Sequence, residues 1–133
     1  MSYVRVMVTD SGTFKDPTWD AVESELRALN ATTNTIVMLS PAGPAGTPAD
    51  ERHMAVGGGD EHLIVYVTED NLRFWNAVDP SRQTDDTILR ITIGGQEGEY
   101  RISQCVTRQA ALRAARQYVE DGSRTADLAW TTG

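Results

Sequence analysis

From His62 to Ser103 the chain strings together short β-type runs whose connections are only a few residues long. That spacing constrains the fold most, because a parallel pair needs a crossover of a dozen residues or more, whereas an antiparallel pair closes with a tight turn. Leu63, Val65 and Val67 alternate with His62, Ile64 and Tyr66, and the polar turn Glu69-Asp70-Asn71 leads into Leu72 to Val78, which places Phe74 and Trp75 on opposite faces. These two runs read as a hairpin. Ile88 to Ile93 supplies a further strand, Gly94 to Gly98 a turn, and Glu99 to Ser103 a last strand carrying Tyr100 and Ile102.

Upstream, Tyr3 to Thr9 alternates with Val4, Val6 and Val8 on one side and Tyr3, Arg5 and Met7 on the other, the pattern of a strand. Asp16-Pro17 signals a helix start, and Trp19, Val22, Leu26 and Leu29 follow at packing spacing up to Asn30. Thr35 to Ser40 is rich in branched apolar residues and reads as a strand. Pro41 to Asp50 holds three prolines and two glycines and is expected to be a loop. Arg52 to Val56 is expected to be a short strand ending in a flexible turn at Gly57-Gly58-Gly59. That triple glycine lacks both the Gly-Lys-Ser/Thr ending of a nucleotide loop and the spacing of a dinucleotide fingerprint.

The chain closes with a second helix, Thr107 to Asp121, marked at both ends by Thr107 as N-cap and by Gly122 at the closing position. Ala111, Leu112, Ala115, Tyr118 and Val119 fall on one stripe, and Arg108, Arg113, Arg116 and Glu120 fall away from it toward water. Beyond Gly122, Leu128 and Trp130 are expected to dock against neighbouring structure, since a terminal indole is expensive to leave in water. Together these elements predict one domain over residues 1–133. Its class is α+β in two layers, a mostly antiparallel sheet of about five to six strands packed with an N-terminal and a C-terminal helix.

A chain of 133 residues with 40% hydrophobic and 23% charged residues can bury a core. Its longest apolar run, Leu63 to Val67, is far short of a membrane span, and its opening residues lack the apolar stretch of a secretory signal; no membrane partner and a cytoplasmic location are the expectation. The net charge of -7 argues against direct binding of nucleic acid and suits a basic partner. Much of the excess lies between Asp60 and Glu99, where residues 60, 61, 69, 70, 79, 85, 86, 97 and 99 are acidic against three arginines. Taken singly these are solvated turn carboxylates; their clustering is what points to a partner.

The helix with small and aromatic packing positions (Ala111, Ala114, Ala115, Tyr118), followed by Gly122-x-Arg124-x-x-x-Leu128-x-Trp130, resembles the carboxyl-terminal signature of the first immunity-protein family of bacterial polymorphic toxin systems. The strand order upstream and the Gly98-x-Tyr100 element are similar in arrangement, and Thr125 stands where many relatives carry proline. The resemblance implies an antitoxin that binds the toxin domain made by the same cell, often a nucleic-acid deaminase. A toxin of that kind needs a basic substrate groove, which an acidic surface can occupy.

On this reading the partner-binding candidates are Asp79, Asp85, Asp86, Glu97 and Glu99, with Trp75 or Arg82 as anchors. Trp19, Tyr100, Tyr118, Gly122, Leu128 and Trp130 are assigned to structure. Trp75 has a competing place in the core, and the pattern leaves the choice open. No catalytic residue, cofactor or metal is assigned. Cys105 sits in an apolar alternation and reads as a small buried hydrophobe, and no nucleophile motif is present. His53 and His62 are the only histidines. A small ligand-binding or enzymatic domain with its pocket near them, the two facing each other if they flank a hairpin, is the alternative, and a homo-oligomeric scaffold is a third.

Overall fold

The computed structural model describes residues 2–41 and 51–132; of the loop expected over 41–50, only Pro41 is among them. The elements run β1 (Val6–Thr9), β2 (Gly12–Lys15), α1 (Trp19–Arg27), β3 (Ile36–Ser40), β4 (His53–Gly59), β5 (His62–Thr68), β6 (Phe74–Val78), β7 (Ile88–Ile93), β8 (Gln96–Arg101), α2 (Arg108–Asp121) and β9 (Ala129–Thr132). Seven strands form one sheet in the order β2-β1-β3-β4-β5-β6-β9, and β7 and β8 form a second. Every pairing is antiparallel. The α+β class holds, with more strands than expected and in two sheets rather than one.

Both helices follow their caps. Thr18, not Pro17, opens α1, its hydroxyl accepting from Ala21 N–H at 3.1 Å, and Thr107 does the same for α2 through Ala110 N–H at 3.2 Å. Gly122 closes α2 with φ of 78°. Here the ring of Tyr3 lies where a Cβ would project, within 2.5 Å, so the position needs glycine for space as well as for backbone angle. Both helices cover one face of the large sheet, where Val22, Leu26, Ala111, Ala114, Ala115 and Tyr118 meet Val37, Leu39, Met54, Val56, Leu63, Val65 and Val67. Leu112, placed on the packing stripe by spacing, is only partly buried, while Ala114 is fully buried.

Arg108 was expected to face water and instead bonds to α1. Its guanidinium donates to Leu26 O at 2.5 Å and to Leu29 O at 2.8 Å, carbonyls at the end of α1, of which Leu26 O otherwise has the long bond from Leu29 N–H at 3.4 Å. A charged donor at a helix C-terminus also opposes the helix dipole there. Arg108→Met, which keeps the aliphatic stem, is expected to lower the unfolding free energy by about 2 kcal/mol. Urea denaturation checks this, and a change below about 0.5 kcal/mol would remove the assigned role.

Four strand expectations are corrected. The strand expected over Leu72 to Val78 begins only at Phe74, and Leu72 is 85% exposed in the connection before it. The strand expected over Tyr3 to Thr9 begins only at Val6, because Tyr3 N–H is drawn to Val119 O at 2.7 Å; Val4 and Met7 consequently share the core, out of step with simple alternation. The second strand of the small hairpin runs Gln96–Arg101 rather than Glu99 to Ser103, since the turn takes only Gly94 and Gly95, with φ of 60° and 80°. Finally, β4 does not stop at Val56. It continues through Gly57, Gly58 and Gly59, and all seven of its residues are buried.

The glycines are there for clearance. A Cβ on Gly57 would stand 2.4 Å from Ile93 Cγ2, and one on Gly59 would stand 2.6 Å from the carbonyl carbon of Asn30. The small hairpin and the α1–β3 connection therefore lie directly on this bare strip of backbone. The tail is docked, as expected: β9 pairs with β6, and Trp130 packs against the core and donates its indole N–H to Thr125 O at 2.9 Å. That β9 would be a strand, and that β2 exists, went unread.

Candidate protein-binding surface

The β7–β8 hairpin has two dissimilar faces. Register places Leu89, Ile91, Ile93 and Tyr100 on one side, and Ile88, Arg90, Thr92, Glu97, Glu99 and Arg101 on the other. The first side meets β4, with Ile91 buried and Ile93 over Gly57. The second faces outward, and Arg90, Glu97, Glu99 and Arg101 are exposed.

The connection from β6 to β7 adds three carboxylates beside this face. Asp79 caps the short 3-10 turn Pro80–Arg82, accepting from Ser81 N–H at 3.0 Å and from its hydroxyl at 2.6 Å. Those bonds, led by the one from the Ser81 hydroxyl, hold the Asp79 carboxyl below its usual range. Asp85 is likewise held low by hydrogen bonding from Thr87, whose N–H lies 2.9 Å away. Both are fully ionised at neutral pH, and Asp86 beside them is exposed.

The β4–β5 turn lies at the same end of the molecule. Asp60 shares a cavity of about 150 Å³ with His62, Leu89, Arg90 and Ile91; Glu61 O accepts from Arg82 at 3.5 Å, while the Glu61 carboxylate accepts from Arg108 N–H at the start of α2 at 3.2 Å. Seven carboxylates (60, 61, 79, 85, 86, 97 and 99) thus stand with three arginines (82, 90 and 101). Seven negative charges less three positive leave four negative. The remaining two acids of the sequence cluster, Glu69 and Asp70, lie beyond the far end of β5, roughly 20 Å away along the strand.

The residues singled out by sequence divide accordingly. Asp79, Arg82, Asp85, Asp86, Glu97 and Glu99 come together on the acidic surface. Arg82 is a tie within it: its guanidinium pairs with Asp79 at 3.3 Å and reaches the carbonyls of Glu61 and Cys105 at 3.5 and 3.4 Å.

Trp75 lies elsewhere. It stands beside β9 on the helix-bearing side, part-buried, with the Arg124 guanidinium 3.9 Å from its ring centroid. Around it Glu69, Asp70, Leu72 and Arg73 enclose a cavity of about 450 Å³. Trp19 is part-buried beneath Arg116, and Tyr3 meets the wholly buried Tyr118 edge-on at 5.4 Å between centroids. Leu128 and Tyr100 are part-buried. Ile88 was overlooked by sequence reasoning. It is 51% exposed at the start of β7, an apolar side chain set among charges, and its period-two spacing with Arg90 and Thr92 was the signal available.

The histidines do not converge. His53 pairs with Thr68 and His62 with Gly59, at opposite ends of the β4–β5 ribbon. His53 lies 3.0 Å from the Tyr66 hydroxyl, and burial holds its pKa below the ordinary value. Cys105 is buried, and burial pushes its thiol up, away from the reactive thiolate. Among the described residues no group of three or more His, Cys, Asp or Glu side chains is placed to hold a metal ion, and no helix is long and apolar enough to cross a membrane.

What the arrangement can do is present charge and a little apolar area to another macromolecule. No curated protein is significantly similar to the chain. The profile of the family described as Immunity protein Imm1 matches residues 15–132, a span that takes in both helices, the small sheet, the large sheet from β3 onward and the docked tail. A match over that much of the chain shows that it belongs to the Imm1 family of immunity proteins.

Proposed function

We propose that this immunity protein neutralises its cognate toxin domain by laying the acidic surface of the β7–β8 hairpin over the toxin's substrate groove, and that the toxin is a deaminase acting on nucleic acid. The observation that carries the reading is the excess of carboxylates over arginines along the β7–β8 hairpin and the two connections packed beside it. An enzyme that handles nucleic acid must neutralise phosphates with basic side chains, so its groove is complementary to such a surface. Asp79, Asp85, Asp86, Glu97 and Glu99 supply the field that steers the encounter. Ile88 supplies apolar area inside the charged ring, the composition of an interface anchor. Arg82 acts by holding Asp79 and the β4–β5 turn in place. Trp75 is kept as a second contact only for a toxin large enough to reach the β9 side. The cytoplasm of the toxin-producing cell is the proposed place of action, where the toxin would otherwise reach its substrate.

The test is a fourfold neutralised variant, Asp85→Asn, Asp86→Asn, Glu97→Gln and Glu99→Gln, assayed against the toxin domain encoded beside this chain. Association is expected to slow about tenfold or more, with dissociation changed less, because charges at a rim act chiefly on the encounter. Cells producing the toxin should lose protection in parallel. All four side chains are exposed, so the unfolding transition should stay in place. An unchanged association rate would dismiss acidic complementarity as the basis of binding.

A further inference from the structure

One strand edge within the acidic surface has no partner among the described residues. β8 pairs with β7 alone. The two-residue turn decides which backbone groups face the open side. Ile93 and Gln96 flank it and exchange hydrogen bonds, as do the pairs 91/98 and 89/100; residues 97 and 99 therefore point N–H and C=O away from β7. Arg101 shares this parity, and its N–H indeed turns away from β7, donating to Gln104 Oε1 at 3.0 Å. That bond closes the edge at one end. At the other, Gly95 N–H is held by Thr35 Oγ1 at 3.1 Å. Between them the main-chain groups of Glu97 and Glu99 remain open, two donors and two acceptors in a row.

The strand around them is well seated. On the inner face the Tyr100 ring lies across Gly98, its nearest atoms 3.1 Å from where a Cβ would stand, so the ring covers the gap that glycine leaves. On the outer face the Glu97 and Glu99 side chains flank the open backbone. An ion pair there, Arg90 to Glu97 at 3.7 Å, joins side chains that are 71% and 62% exposed, and such a pair is exchanged at little cost.

From the unpaired backbone and the sign of its flanking side chains, we infer that β8 accepts an extended segment of the toxin as a third strand of the small sheet, with Lys or Arg at alternate positions opposite Glu97 and Glu99. The inference rests on the toxin-binding reading and names the form its contact takes. Main-chain bonds hold the added strand, and the two glutamates select it. An acidic strand is repelled by like charges directly opposite, and an apolar one leaves two carboxylates beside greasy side chains. The same glutamates keep the edge from pairing with neutral strands of other proteins, so protection and selection have one cause.

Amide hydrogen exchange, read by NMR on the whole protein alone and in complex with the toxin domain encoded beside it, tests this. The Glu97 and Glu99 amides are expected to exchange fast in the free protein and to slow about tenfold or more in the complex, while those of Gly98 and Tyr100 are slow in both. Glu97→Pro removes the outward N–H without touching a bond to β7. It should weaken binding about tenfold beyond Glu97→Gln, with the β7–β8 amides still protected. A complex in which both amides stay fast overturns this inference and leaves toxin binding intact. If no complex forms, both fall.

Discussion

Gly59→Ala is expected to destabilise the protein by about 3 kcal/mol or more, enough to remove most of the stability of a typical domain. The added methyl would stand 2.6 Å from Asn30 C and 2.9 Å from both Ala31 N and Asn30 Cα, all backbone atoms that no rotamer change can move. Nor can that backbone retreat easily. Asn30 Oδ1 accepts the amides of Thr32, Thr33 and Asn34 at 2.9, 2.9 and 3.0 Å, which locks the α1–β3 connection around the point of contact. Gly95→Ala is the control: its Cβ meets nothing within 4 Å, so only the φ of 80° is strained, at about 1 kcal/mol. Thermal unfolding followed by circular dichroism should show a large fall in Tm for Gly59→Ala and a small one for Gly95→Ala. Equal shifts would mean that β4 does not carry its neighbours in the way described.

Tyr118→Ala is expected to cost about 3 to 5 kcal/mol, the range for emptying a large buried aromatic site. The side chain is 0% exposed at the centre of the α2 face, and it loses with its ring both the sheet contacts and the edge-on partner Tyr3. Tyr118→Phe separates ring from hydroxyl. That hydroxyl is buried without a hydrogen-bond partner among the described residues, so losing it should change stability by less than about 1 kcal/mol. Chemical denaturation of the pair decides the matter. A Phe variant as unstable as the Ala variant would show that the hydroxyl, not the packing of the ring, holds the site.

Elements that carry their own local signals were readable. The second helix has a threonine cap, a left-handed glycine and a small-residue stripe within one continuous segment, and it appears with those bounds. The β5–β6 hairpin was equally plain, because alternation and a polar turn agree. What sequence missed depends on neighbours far away in the chain. Gly57-Gly58-Gly59 looks like a turn by propensity, but it is a buried strand whose lack of side chains is required by Ile93 and Asn30.

Arg108 sits on the polar side of its helix by spacing, but the carbonyls it caps belong to another helix. The acidic surface was half legible. The cluster between Asp60 and Glu99 was visible as composition, whereas only the folding of β4–β5 against β7–β8 decides that Asp60 stands beside the hairpin that carries Glu97 and Glu99 and that Glu69 and Asp70 do not.

The most direct test of the account is calorimetric titration of this protein with the toxin domain encoded beside it, at about 50 mM and about 500 mM salt. The account predicts nanomolar binding at low salt that weakens about tenfold or more at high salt, with the fourfold neutralised variant binding weakly at both. Binding that is equally tight at both salt concentrations and unchanged in the variant would contradict it, as would no binding at all.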